Sequence, residues 1–180
     1  MSSIYMIRHG QASFGERNYD RLSERGVLQS RLLARYWAKI GFRCDAAYAG
    51  RMVRQQDTAR EILDLYTKDG LPFPELIVDE AFNEYNSASI ILSHVQDLAG
   101  EDPALERDLK RIYTDKRAFQ RVFERIMMKW IAGKDRRNGL DTWEEFRNRV
   151  WGGLRRIMAI HGKGRTVVVF TSGGPISAAL

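Results

Sequence analysis

The sequence predicts a three-layer α/β/α fold built on a mostly parallel sheet. Three observations lead there. Short apolar, β-rich runs recur along the chain, separated by longer stretches whose apolar residues repeat at helical spacing. Strands that alternate with helices give a parallel sheet covered on both faces. The 180 residues are 44% hydrophobic and 29% charged, enough for a real core in one domain of middling size. A single cysteine, Cys44, excludes a disulfide framework and suits a reducing cytosol.

The elements follow in order. Ser3 to Ile7 reads as a buried strand that breaks at Arg8-His9-Gly10. Ser23 N-caps a helix whose expected inner face is Leu28, Leu32, Leu33, Tyr36, Trp37 and Ile40, with Gly41 as its stop. Asp45 to Ala49 is a second strand. The helix after Gly50 buries Ala59, Ile62, Leu63 and Tyr66. Gly70-Leu-Pro-Phe-Pro is a loop, because neither proline fits a helix or a central strand there. Glu75 to Val78 is a third strand, and Ile90, Ile91, Val95 and Leu98 form the inner face of a further helix. A helix over about 115–131 shows Ala118, Phe119, Val122, Phe123, Ile126, Met127 and Trp130 on one face. Arg117, Arg121, Arg125 and Lys129 form a stripe on another. Thr142 and Glu145 make a capping box for a helix with the stripe Trp143, Phe146, Val150, Leu154 and Ile157. Gly152-Gly153 inside it cost about 1 kcal/mol each relative to alanine. Arg165 to Thr171 is the clearest strand and runs into Ser172-Gly173-Gly174-Pro175. The expectation is one domain over 1–180 with a basic helical insertion at about 101–140.

In open α/β sheets, ligands bind beyond the carboxyl ends of the strands. Arg8 and His9 follow strand one, and Arg51 and Arg54 follow strand two. Glu80 and Glu84 follow strand three, and Ser172-Gly173-Gly174 follow strand four. Each signal is weak alone; their weight is that all fall at one end of one sheet. Arginine forks match phosphate oxygens, and backbone N–H groups opening a helix add donors for an anion. A neutral imidazole among them is a nucleophile toward phosphorus, and a carboxyl group can protonate a leaving alcohol. The three histidines, His9, His94 and His161, are too far apart for a short-range metal motif, so a His-rich metal site is not expected. No metal or other cofactor is expected. Arginines can supply the positive charge instead.

The same residues resemble the histidine phosphatase superfamily, also called the phosphoglycerate mutase-like family. Ile4-Tyr-Met-Ile-Arg-His-Gly10 is similar to its opening strand and Arg-His-Gly signature. Leu22-Ser-Glu-Arg-Gly26-Val-Leu-Gln29 resembles the Leu-Thr-x-x-Gly-x-x-Gln that starts its first helix. Arg54-Gln-Gln-Asp-Thr58-Ala59 resembles Arg-Ala-x-Gln-Thr-Ala, which carries the second phosphate-binding arginine. Phe82-Asn-Glu84 resembles the Leu-x-Glu of the proton donor, and Val167-Val-Val-Phe-Thr-Ser-Gly173-Gly174 the last motif strand and turn. The matches run in order from residue 4 to about 177. The resemblance implies a phosphoglycerate mutase-like fold, His9 as a transient phosphohistidine, and Arg8 and Arg54 as the phosphoryl clamp. It makes Glu84 the general acid and base; Ser172 and Gly173 stand as further phosphate-binding groups from the turn that opens the last helix. Arg51 has no family role and stands as an auxiliary.

Three departures shape the expectation. The family's second catalytic histidine belongs where this chain has Ser172, which cannot carry charge; losing one preorganised donor costs roughly 10²–10³ in rate elsewhere. His161 precedes strand four, at the wrong end of the sheet to replace it, and His94 could approach only by folding its helix over the crevice. The stretch after Arg-His-Gly reads Gln11-Ala12-Ser13-Phe14-Gly15 rather than the family's usual x-Thr and Asn, which argues against close kinship with the glycolytic mutases. The chain stops at Leu180, where the family fold usually continues the helix and adds two strands. The expectation is a truncated form or a smaller sheet with an exposed edge.

The function expected is metal-independent hydrolysis of a phosphomonoester through phosphohistidine. The alternative is a catalytically degenerate member that binds a phosphorylated ligand or partner, and a phosphoglycerate mutase ranks last. Lys and Arg number 29 against 23 Asp and Glu, a net charge of +6, and residues 106–137 alone account for +6. A solvated helix face explains that charge best. A lid that steers anionic substrates is the sharper reading, and nucleic acid is not expected because no binding motif accompanies the charge. Expected partners are a small phosphorylated substrate or a phosphoprotein, with homodimerisation left open. The N-terminus lacks the apolar run of a signal peptide, and the longest apolar run, Val167 to Phe170, is too short for a bilayer. A cytoplasmic location without membrane association follows.

Overall fold

The computed structural model describes residues 2–13, 19–98, 103–112, 114–133 and 139–180. Phe14 and Gly15, and Lys134, Arg136 and Arg137 of the basic segment, lie outside the described residues. The fold is a three-layer α/β/α arrangement around a four-stranded parallel sheet. The strands are β1 (Ser3–Arg8), β2 (Ala46–Ala49), β3 (Leu76–Val78) and β4 (Thr166–Thr171), in the spatial order β1-β4-β2-β3. Arg8 pairs with Thr171, Ala49 with Phe170, and Val78 with Ala49, so the carboxyl ends of all four strands lie at one level.

The contacts divide into two compact units, residues 1–84 with 149–180, and residues 85–148. The first holds the sheet, α1 (Glu24–Lys39), α2 (Val53–Lys68), most of α6 (Trp143–His161) and α7 (Gly173–Ala179). One face of the sheet is sealed by Ala34 and Trp37 of α1 and Ala59, Ile62 and Tyr66 of α2, against Ala47, Ala49, Val168 and Phe170. On α6, Gly153 lets the helix approach closely. A Cβ there would lie 2.6 Å from the Ala81 methyl and 3.0 Å from the Phe82 ring. Gly152 meets nothing closer than Arg156 Nη1 at 3.7 Å. The far end of α6 is tied to β2 by a 2.9 Å bond between His161 Nε2 and the Tyr48 hydroxyl.

The helix starts obey their local signals. Ser23 Oγ accepts from Gly26 N at 3.1 Å, and Gly41 ends α1 at φ +67. The inner face of α1 corrects the expectation in part: Trp37 is buried and Leu33 packs against the core as expected, but the other buried residues are Gly26, Ser30 and Ala34. Leu28, Leu32, Tyr36 and Ile40 are each more than half exposed. Small residues set this packing, because α1 meets its neighbours at backbone distance. A Cβ on Gly26 would lie 2.2 Å from Gln11 O, and one on Gly10 would lie 2.4 Å from Gly26 O.

The second unit holds α3 (Ser87–Leu98), α4 (Pro103–Leu109), α5 (Lys116–Ala132) and the first turns of α6. Its rings gather around Trp130, which meets Trp143 edge-on and Tyr85 and Phe146 at tilted angles, and donates from Nε1 to Asp141 O at 2.9 Å. Asp115 caps α5, and Thr142 with Glu145 forms the predicted capping box. The α5 inner face is buried at Ala118, Val122, Ile126 and Trp130, whereas Phe119 is exposed. Part of the basic stripe is structural: Arg121 grips the buried Asp108 with Nε at 2.6 Å and Nη2 at 2.7 Å. No helix among the described residues is long and apolar enough to cross a membrane.

Candidate active site

His9 is the first residue beyond β1, and its N–H donates to Thr171 O at 2.8 Å, extending the pairing with β4 by one rung. Its ring is held at both nitrogens. Nδ1 lies 2.7 Å from Gly10 O, and Nε2 lies 3.1 Å from Arg54 Nε. A carbonyl only accepts and a guanidinium only donates, so Nδ1 carries the proton and Nε2 presents its lone pair. Burial lowers the His9 pKa below the ordinary histidine value. The Gly10 carbonyl opposes that shift, Arg54 and Arg8 add to it, and Asp20 opposes it. The resting imidazole is therefore neutral at pH 7.

Arg54, the second residue of α2, is only 5% exposed and is positioned from outside its own helix. Met52 supplies no side-chain cap for α2. Asp20 does so instead, accepting from Val53 N at 3.0 Å and Arg54 N at 3.4 Å, and from Arg54 Nη1 at 2.7 Å. The Tyr19 ring lies 5.4 Å from the guanidinium carbon. Thr58, one turn along, accepts from Gly10 N at 3.0 Å and donates to Arg54 O at 2.8 Å. That hydroxyl locks the His9 loop onto the helix bearing Arg54.

Arg8 is exposed, and among the described residues it has no ion-pair partner. It lines a cleft of about 380 Å³ with His9, Gly10, Gln11, Ala12, Tyr19 and Gln29. Arg54, Glu84 and Ser172 are not among the walls of that cleft. Arg54 reaches His9 directly, whereas Ser172 follows β4 and Glu84, beyond β3, bonds to the turn after β4. Ser172 is buried there, and its Oγ lies 2.8 Å from Gln55 Nε2. Gln55 Nε2 also faces Phe82 O at 3.1 Å, which only accepts, so the amide orientation is fixed and Ser172 Oγ accepts from it. The half-buried Glu84 takes the Gly174 N–H at 3.0 Å, so one of the donors expected for an anion is already engaged by the candidate acid. Gly173, the first residue of α7, has open space where a Cβ would stand. Arg149 Nη1 holds the turn before Glu84 through Glu80 O at 2.7 Å, Ala81 O at 3.0 Å and Asn83 O at 3.3 Å.

The structure thus brings His9, Arg8 and Arg54 together, and it joins Glu84 to the Ser172-Gly173-Gly174 turn. Arg51 is engaged elsewhere: its guanidinium pairs with Glu80 on the surface, and its N–H donates to Asn83 Oδ1 at 2.6 Å. His94 is a buried histidine of the second unit, with Nδ1 2.9 Å from Ile90 O of its own helix. Sequence reasoning assigned no role to Asp20, Gln55 or Thr58. Two of them left a signal: Thr58 stands at the threonine of the family pattern, and Gln55 stands where that pattern has alanine.

The sequence profile of the histidine phosphatase superfamily (branch 1) matches residues 4–103, more than half of the chain. The chain belongs to this superfamily. A 2,3-bisphosphoglycerate-dependent phosphoglycerate mutase of Rhizobium etli (strain CIAT 652) is 32% identical over 88 residues, which cover 46% of the chain and 40% of that mutase. A mycobacterial glucosyl-3-phosphoglycerate phosphatase superposes with a TM-score of 0.61 at 20% identity, over 96% of the chain and 74% of that structure. A phosphoglycerate mutase from Bacillus anthracis gives 0.62 at 18% identity, over 98% and 77%. A phosphoserine phosphatase from Entamoeba histolytica gives 0.61 at 15% identity, over 99% and 78%. These likenesses establish a phosphoglycerate mutase-like fold. Within this histidine phosphatase superfamily member, the strand and turn carrying Ser172 lie beyond the matched span.

Proposed function

We propose that the protein hydrolyses a phosphomonoester through a phosphohistidine on His9. The observation that carries the reading is the contact of the unprotonated His9 Nε2 with the buried Arg54 guanidinium. A neutral nucleophile and a phosphoryl-binding fork meet at one atom. The substrate phosphoryl takes the place of that contact. A bond forms from Nε2 to phosphorus as the ester P–O bond breaks, Glu84 protonates the leaving oxygen, and Arg8 and Arg54 hold the phosphoryl oxygens. Water then attacks phosphorus, the N–P electron pair returns to Nε2, and the Glu84 carboxylate takes the proton from water. The sum is ester plus water giving alcohol plus phosphate. In this reading the Ser172 hydroxyl and the Gly173 N–H are additional phosphate donors. The names of the relatives point to small phosphorylated acids as substrates, phosphoserine and phosphoglycerate among them.

The test is hydrolysis of an aryl phosphate, phosphoserine and 3-phosphoglycerate by the wild type and by His9→Ala. The expected result is turnover in the wild type, an acid-labile phosphoenzyme, and a loss of about 10⁴-fold or more in the variant. Activity that survives His9→Ala overturns the mechanism. The uncharged Ser172, bonded to Gln55, favours one second reading: a non-catalytic member that binds phosphorylated ligands. Phosphate binding that depends on Arg8 and Arg54, with no turnover at all, is the result that supports it.

A further inference from the structure

The loop ahead of α1 carries a carboxylate that the reaction above does not use. Asp20 contributes both its oxygens to α2. Oδ2 accepts from Val53 N at 3.0 Å, and Oδ1 faces Arg54 N at 3.4 Å and Arg54 Nη1 at 2.7 Å. Capping the helix uses only the two backbone N–H groups. The shortest of the three contacts is the one to the guanidinium, and capping does not require it. Arg54 has five N–H donors in one rigid plane, so fixing Nη1 also fixes the direction of Nε–H, which points at His9 Nε2.

We propose that Asp20 is a positioning residue for the phosphoryl-binding arginine, holding the Arg54 fork so that it faces His9 Nε2. Its catalytic consequence rests on the phosphatase reading; its effect on the His9 ring does not. The groups around that ring come from every neighbouring element. Arg8 is on β1 and Arg54 on α2. The Tyr19 phenol and Asp20 come from the loop, and β4 presents the uncharged Thr171 carbonyl. Glu84 is engaged with Gly174 N–H. Asp20 is the carboxylate among the groups that perturb His9, and it favours the imidazolium. Removing its charge therefore moves the His9 titration, and the acid limb of kcat/KM, to lower pH.

Asp20→Asn retains an oxygen for the α2 N–H groups and removes the charge; Asp20→Ala removes both. The experiment follows the His9 ring by NMR through a pH titration, assigned with His9→Ala, in the wild type and both variants. It also measures kcat and KM for an aryl phosphate. The expected result for Asp20→Asn is a lower His9 midpoint and acid limb, with kcat reduced by about 10²-fold and KM nearly unchanged. Asp20→Glu is expected to recover part of the loss. A wild-type midpoint and kcat in Asp20→Asn, with only Asp20→Ala less stable, would mean that Asp20 is a helix cap alone, and the proposal falls. Should the wild type turn over nothing, the phosphatase reading fails, and the NMR midpoint still decides the role of Asp20.

Discussion

Ser172 and Gln55 share one buried space, and each constrains the other. The Gln55 amide is fully buried, bonded to Ser172 Oγ and Phe82 O, while its Oε1 has no hydrogen-bond partner. It fits because residue 50 is glycine: a Cβ there would lie 2.0 Å from Gln55 Oε1. A histidine at 172 needs the room that this amide fills. Ser172→His alone is expected to lose about 1–3 kcal/mol through overpacking, and Ser172→His with Gln55→Ala to recover most of it. Denaturant unfolding of the two single variants and the double variant reads the coupling; costs that simply add would show that the two side chains do not compete for space. The residue types were legible from their places in the chain: Arg8 ends β1, and His9, Arg54 and Glu84 come after strands. The partners of Asp20 and Gln55 were not legible, because they stand 33 and 117 residues away. Contacts across such separations exist only once the sheet has brought the strand ends level.

Local chemistry decides where elements begin, and packing decides which face turns inward. The caps at Ser23 and Thr142 act within three residues and were readable for that reason. The face of α1 was partly misread: Leu33 and Trp37 do turn to the core, but Leu28, Leu32, Tyr36 and Ile40 repeat every fourth residue as a core stripe would and are exposed. The real contact is made where side chains are smallest, with Gly26 against Gly10 and Gln11. Two glycines in helices therefore respond oppositely to alanine. Gly26→Ala drives a methyl to 2.2 Å from a backbone oxygen and is expected to cost about 1–3 kcal/mol or more. Gly152→Ala meets only Arg156 Nη1, at 3.7 Å, an ordinary van der Waals distance, and is expected to gain about 0.5–1 kcal/mol from helix propensity. Thermal or denaturant unfolding of the two variants tests both signs. A neutral Gly26→Ala would show that close backbone approach does not hold α1 in place.

At the scale of the molecule, every candidate site residue belongs to the unit formed by residues 1–84 and 149–180. A ligand that binds only the folded form of that unit stabilises it by an amount set by mass action, about 2.7 kcal/mol at a concentration of 100 Kd, or nearly 100-fold in opening equilibrium. Amide exchange in β1, β4 and the first turns of α2 is therefore expected to slow by up to that factor in saturating inorganic phosphate. The Arg54→Ala variant, which lacks the buried fork, is expected to show little of this slowing at the same concentration. Amides of residues 85–148 exchange through the openings of a unit that contributes none of the named groups. They are expected to change less, even though that unit carries the basic segment. Exchange measured peptide by peptide, with and without phosphate, separates the two origins of anion affinity. Protection centred on His9 and Arg54 supports the site as drawn. Protection confined to α5 would instead assign phosphate binding to the basic helix and remove the physical basis for His9 as the phosphoryl acceptor.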